Sequence, residues 1–179
     1  FAREVAQCLP TAITVAATDW THAERLAGYL HARYFRAYTS DDLIGVACDI
    51  WIPAARPDVV NEENVQRLNT RLVVEGANIP FTHGAEKALH ERGVLCVPDF
   101  IANAGGVICA AMEYHGSTQS AALQTIEEKL RRNTEQVLET ARREQILPRQ
   151  AAMVMAEQRV RKAMGFRRWS LFSSAPDYT

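Results

Sequence analysis

The four cysteines stand at 8, 48, 96 and 109, so the sequence has no Cys-x-x-Cys pair, and no histidine sits at metal-ligand spacing from them. That excludes a sequence-encoded zinc site or redox pair; no metal is expected, and all four cysteines read as small core residues. No run of eighteen apolar residues occurs, and Phe1-Ala2-Arg3-Glu4-Val5 has neither an initiator methionine nor the basic start and apolar middle of a signal peptide. Neither a membrane partner nor secretion is expected; the expected compartment is the cytoplasm, and the chain is expected to be truncated before Phe1. Charge of one sign is also lacking: 20 Lys and Arg against 21 Asp and Glu give a net charge of -1, with only a short basic cluster from Arg159 to Arg168. No nucleic acid partner is expected, and the cluster reads as a solvated helix face or an interdomain contact. The histidines at 22, 31, 83, 90 and 115 share no spacing with Asp or Ser that suits a hydrolytic triad, and read as helix-face or surface residues. Repeats and low-complexity linkers are absent too, which leaves one folding unit.

What is present is a globular composition. Apolar residues make up 47% and charged residues 23% of 179 positions, and a chain this size buries roughly 70% of its extended surface on folding. Short β-branched runs alternate with helical stripes. Strands are expected at 13–18, 34–38, 49–53, 72–76 and 94–98. Helices are expected at 1–9, 21–31, 40–46, 61–68 and 82–92, the last ended by Gly93. From Asn103 onward the pattern is purely helical. Leu123, Ile126, Leu130, Val137 and Ala141 mark one long amphipathic helix, and Pro148 starts another with Met153, Ala156, Val160 and Ala163 as its apolar stripe. Strand and helix in alternation give an α/β fold, with a mainly parallel sheet covered on both faces and a helical C-terminal extension.

In such folds ligands sit outside the carboxyl ends of the strands, which directs attention to the residues that follow each strand. These are Asp19, Pro53-Ala54-Ala55, Gly76-Ala77-Asn78 and Asn103-Ala104-Gly105-Gly106. A carboxylate at Asp19 is suited to accept hydrogen bonds from both hydroxyls of an adenosine ribose and to repel a 2'-phosphate, which favours NAD over NADP. Capping of the following helix is an equally open reading of Asp19. The Gly-x-Gly-x-x-Gly fingerprint is absent; it belongs about 20 residues before such an acid, which places it upstream of Phe1. The primary amide of Asn103 offers a donor and an acceptor for the carboxamide of nicotinamide, and the paired glycines let a flat ring approach the backbone. Gly76-Ala77-Asn78 repeats that logic one strand earlier, although either segment alone is more often a tight turn than a site. Glu113 and His115 follow on the same helix and read as a solvated face.

Three ordered segments carry a resemblance: Cys48-Asp49-Ile50-Trp51-Ile52-Pro53-Ala54-Ala55, Val73-Val74-Glu75-Gly76-Ala77-Asn78-Ile79-Pro80 and Pro98-Asp99-Phe100-Ile101-Ala102-Asn103-Ala104-Gly105-Gly106-Val107. Together with Asp19 they resemble the cofactor domain of the glutamate, leucine, phenylalanine and valine dehydrogenases. The resemblance implies a Rossmann-like fold, with an NAD-binding domain over 1–165, truncated at its N-terminus, and a tail over 166–179. It implies reversible oxidative deamination of an L-amino acid to a 2-oxo acid and ammonia. Asp19, Pro53, Ala54, Ala55, Gly76, Ala77, Asn78 and Asn103 are then the cofactor contacts: Asp19 on the ribose, Ala54 and Ala55 along the adenosine, Asn78 and Asn103 toward the nicotinamide. No catalytic residue is expected within the chain, because the family's lysine pair and aspartate belong to an N-terminal domain, through which a homo-oligomer is also expected. The glutamate members resemble Asn-Ala-Gly-Gly-Val-x-x-Ser, and Ala110 replaces that serine here. With the short spacing from Asp19 to Pro53, this favours a branched-chain or aromatic amino acid as substrate. Two other readings stay open: a non-catalytic nucleotide-binding or regulatory module, and a methyltransferase-like nucleoside binder, which has no use for the two asparagine turns.

Overall fold

The computed structural model describes residues 14–17, 25, 33–36 and 43–167, with side chains at 25 and 43–166. Asp19, Cys8, the helix expected at 1–9, nearly all of that at 21–31 and the tail from 168 onward lie outside the described residues.

Every described strand pairing is parallel. Strand β1 (Thr14–Ala17) pairs with β2 (Arg33–Arg36), Thr14 opposite Arg33 and Ala17 opposite Arg36. A second sheet has the order β3 (Ile50–Trp51), β4 (Leu72–Val74), β5 (Leu95–Val97), with Ile50 opposite Leu72 and Val73 opposite Cys96. The strands begin where they are expected to within two residues, and β3, β4 and β5 are shorter than expected, ending before Pro53, Gly76 and Pro98.

Parallel neighbours need a crossover, and helix α1 (His83–Glu91) supplies it between β4 and β5. Thr82 caps it by accepting from Ala85 N at 3.3 Å, and Gly93, at φ 78°, ends it in a conformation that costs glycine nothing. Side chains alternate across the sheet. Val73 and Cys96 face one core with Ile44, Val60, Leu68, Phe81, Ala85 and Leu89; Leu72 and Val97 face a second with Ile101, Val137, Ala141, Ala151, Ala152 and Met155. Helices therefore cover both faces of the sheet, as its apolar strands require. After β5 follow α2 (Asp99–Ala102), α3 (Gly105–Tyr114), α4 (Gln119–Glu144) and α5 (Pro148–Arg167), the expected helical extension.

Four details differ from the sequence reading. The helix expected at 61–68 is only a 3-10 turn, Val65–Arg67, because two asparagine side chains capture the backbone before it. Asn61 Oδ1 accepts from Glu63 N at 3.0 Å, and Asn64 Oδ1 accepts from Asn61 N at 2.9 Å. Of the brief helix expected at 40–46, residues 43–46 are described: 43 and 44 are helical, a turn follows at Gly45, and Val46 is outside the helix. On α5 the buried stripe is Ala151, Ala152 and Met155, whereas Met153, Ala156, Val160 and Ala163 are exposed. Of the described cysteines only Cys96 is buried; Cys48 and Cys109 are half-buried. Among the described residues no helix is long and apolar enough to cross a membrane.

Candidate functional site

The described candidates converge at the carboxyl ends of β3, β4 and β5. Pro53 is buried after β3, and Ala54 and Ala55 are exposed beside it. The Pro53 carbonyl accepts from Gly76 N at 3.0 Å and from Ala77 N at 2.7 Å, so the turn after β4 is seated on the turn after β3. That approach calls for glycine: a Cβ on Gly76 would stand 3.3 Å from Pro53 O and 3.4 Å from Ala54 Cβ. Ala77 is buried under the turn, and Asn78 is exposed at its tip.

After β5, α2 makes a single turn, and Asn103 closes it by donating its backbone N–H to Asp99 O at 2.7 Å. Its side chain then reaches across to the previous strand, Asn103 Nδ2 donating to Asn78 Oδ1 at 2.8 Å. The two amides, read separately in sequence, form one unit. This bond uses one of the two Asn103 amide hydrogens and leaves its carbonyl oxygen outside the pair, the donor and acceptor set that complements a primary carboxamide. A Cβ on Gly106 would meet nothing within 4 Å, so the backbone of the first turn of α3 is open on that side. The donors and acceptors of the amide pair fit the carboxamide of a nicotinamide. Glu113 and His115 are exposed on α3 and its cap. Among the described residues no three His, Cys, Asp or Glu side chains form a metal-holding group.

Behind this site lies a group that sequence reasoning missed. Glu75, Glu86 and Asp99 are buried, and all three bond to Arg149, whose side chain is 20% exposed. Arg149 Nε donates to Glu86 Oε2 at 2.6 Å, Nη1 to Asp99 Oδ1 at 2.9 Å and Nη2 to Glu75 Oε2 at 2.8 Å. The guanidinium also lies over the Phe100 ring, 5.6 Å from its centroid. Burial pushes the Glu75 carboxyl up to about 7; Arg149 pulls it down, while Glu86 and Asp99 push it further up. Burial alone would raise Asp99 as well, but the Ile79 N–H and Arg149 more than offset it and hold Asp99 below its ordinary value. Burial also lowers Arg149, yet Glu86 and Glu75 outweigh that and fix it as a cation. Cys96, beneath the cluster, is pushed up to about 12 by burial and then by Glu75, so its thiol is no nucleophile. The one sequence signal for this group was a carboxylate, Glu75, directly after the apolar run Leu72-Val73-Val74 in the central strand.

The sequence profile of the Glutamate/Leucine/Phenylalanine/Valine dehydrogenase family matches residues 13–168. An NADP(+)-dependent glutamate dehydrogenase from Pyrobaculum calidifontis is 43% identical over 130 residues, 68% of this chain and 30% of that protein. A catabolic NAD-specific glutamate dehydrogenase from Bacillus subtilis is 35% identical over 137 residues, 73% of this chain and 32% of that protein. The chain spans about a third of the length of the curated relatives it matches. A crystal structure of L-tryptophan dehydrogenase from Nostoc punctiforme superposes with a TM-score of 0.78 at 21% identity, covering 91% of this chain and 49% of that one, which establishes the shared Rossmann-like fold. With the profile covering most of the chain, and with the described motifs meeting at the carboxyl ends of one parallel sheet, the chain belongs to the Glutamate/Leucine/Phenylalanine/Valine dehydrogenase family.

Proposed function

We propose that this chain is the dinucleotide-binding part of an NAD-dependent enzyme that reversibly deaminates an L-amino acid to its 2-oxo acid and ammonia. The observation that carries the reading is the 2.8 Å bond between Asn103 and Asn78, which presents a joined amide pair at the ends of β4 and β5. In this reading residues 1–165 form the cofactor domain and 166–179 a tail. Asp19 holds the adenosine ribose, Pro53, Ala54 and Ala55 flank the adenosine, and Gly76, Ala77, Asn78 and Asn103 orient the carboxamide. A bound nicotinamide dinucleotide supplies the hydride acceptor. The chain's own contribution is to fix the plane of the ring and exclude water from one side, so that a substrate in the facing cleft is held in line. The lysine pair and aspartate for proton transfer lie on a domain outside this chain, and assembly into a homo-oligomer through that domain completes the proposal.

For the substrate we favour a branched-chain or aromatic amino acid. Ala110 stands on α3 where the glutamate members of the family carry a serine, and loss of that hydroxyl removes a hydrogen bond of roughly 0.5 to 1.5 kcal/mol to the substrate. Glutamate is the competing substrate, favoured by the names of the relatives. One experiment addresses both points: dinucleotide reduction by the full-length polypeptide with leucine, phenylalanine and glutamate, repeated with Asn103→Ala. The expected kcat/KM is highest with leucine or phenylalanine, and the variant loses about three- to tenfold in kcat, the worth of one hydrogen bond. Preference for glutamate overturns the substrate assignment. Unchanged kinetics in Asn103→Ala reduce this residue to a turn, and no amino-acid-dependent turnover at all favours a non-catalytic nucleotide-binding module of the same fold.

A further inference from the structure

Arg149 makes no contact with the amide pair, yet both of the turns that carry the pair are fastened to the carboxylates it holds. Its three nitrogens each bond to a different carboxylate, so the guanidinium is a three-way junction that a single ammonium group does not reproduce. From Asp99 the connection divides. On one side Asp99 Oδ2 accepts from Ile79 N at 2.9 Å, and Ile79 sits at φ 49°, a left-handed conformation that a β-branched residue keeps only when its surroundings hold it. Ile79 directly follows Asn78. On the other side the Asp99 carbonyl accepts from Asn103 N at 2.7 Å. Glu75 Oε2, shared by Arg149 Nη2 and Asp99 N, ties the start of the Gly76-Ala77-Asn78 turn to the same point. The separation and angle of the Asn78 and Asn103 amides are thus set by one aspartate, whose own position is set by an arginine at the start of α5.

We propose that Arg149 is a positioning residue of the cofactor site, acting through Asp99 to hold Asn78 and Asn103 at the spacing that receives the carboxamide. This rests on the role proposed above for the amide pair. A residue that serves stability alone would not act through Asn103, and a double-mutant cycle separates the two cases. In the full-length polypeptide, Arg149→Lys is expected to lower kcat about tenfold, as small misplacements of a reacting group do. The KM for the dinucleotide is expected to stay within about threefold, because the adenosine contacts at Pro53, Ala54 and Ala55 are untouched. Combined with Asn103→Ala, Arg149→Lys is expected to cost much less than it does alone, only the share carried by Asn78 remaining. Wild-type kcat in Arg149→Lys overturns the inference, as does a double variant whose loss is the product of the two single losses. If Arg149→Lys does not fold, Asp99→Asn takes its place in the cycle under the same two criteria; its amide nitrogen must oppose either the Ile79 N–H or Arg149. Asn103→Ala with wild-type kinetics instead removes the role proposed for the amide pair, a failure distinct from additive losses around an impaired Asn103→Ala.

Discussion

Glu75 Oε1 and Glu86 Oε1 are buried without a hydrogen-bond partner, although each belongs to a carboxylate whose other oxygen is well bonded. The two carboxylates occupy the Nε and Nη2 donors of one guanidinium, and a proton on Glu75 relieves the repulsion between these buried like charges. Glu75 is the group placed to carry it, with a folded value of about 7 against an ordinary 4.5. A raised value means that the fold favours the protonated form. Its contribution is complete below about 4.5 and is lost as pH rises through about 7. Glu75→Gln keeps an acceptor for Arg149 and, like the protonated acid, carries no charge. The variant is expected to lose the fall in stability between these values and to exceed the parent above pH 7 by about 3 kcal/mol. Urea unfolding of both proteins at pH 5.5 and 8 measures this, and parallel pH dependence would show that another group titrates. The same contrast shows what single residues reveal in sequence. The turns at Gly76, Asn78 and Asn103 were readable because those residue types mark local backbone geometry. The partner of Glu75 is 74 residues away, and no local pattern points to it. Cysteine burial was misread at 48 and 109 because apolar neighbours do not say which face a residue takes.

Among the elements, α1 was legible in sequence because its ends are marked chemically, by the Thr82 cap and the Gly93 stop. Helix α5 was not. Its segment Ala151-Ala152-Met153-Val154-Met155-Ala156 is apolar all round, so periodicity alone does not fix its phase. Packing fixes it: Pro148 is buried and Ala152 fully so, and Ala151, Ala152 and Met155 meet Val97 of β5 and Val137 and Ala141 of α4. Small residues at 151 and 152 allow that close approach, while Arg149, one residue past Pro148, is aimed at the carboxylates beneath the sheet end. Ala152→Leu is therefore expected to destabilise by about 1 to 3 kcal/mol through overpacking, whereas Met153→Leu, on the exposed side, is expected to stay within about 0.5 kcal/mol. Urea midpoints at constant slope test the pair, and equal effects would mean that the helix is rotated from the face described. The 3-10 turn at Val65–Arg67 follows the same lesson. Its apolar spacing suits a helix, but the asparagines offer the backbone nearer partners, and Arg92 anchors the carbonyls of Val65 and Leu68 at 2.8 and 2.7 Å.

At the scale of the molecule, the proposed site runs from Asp19, after β1, to the amide pair at the ends of β4 and β5, and its two ends do different work. The α/β order and the helical extension were legible because parallel strands demand apolar runs with helices between them. The cofactor choice is less determined, since relatives at 43% and 35% identity use NADP and NAD respectively. In the proposed site the distinction is assigned to the adenosine end: a carboxylate such as Asp19 beside the ribose would accept from its hydroxyls and repel a 2'-phosphate by about 4 kcal/mol per charge pair at 4 Å and an effective dielectric near 20. The amide pair, at the far end of the dinucleotide, has no part in that choice. Asp19→Arg in the full-length polypeptide is expected to weaken NADH binding by roughly 10- to 100-fold, the worth of charge-assisted hydrogen bonds. NADPH binding is expected to hold or tighten, and kcat at saturating cofactor to change little. Titration of each reduced dinucleotide by its fluorescence reads the two affinities separately. Equal weakening of both would remove Asp19 from the ribose and return it to the role of a helix cap.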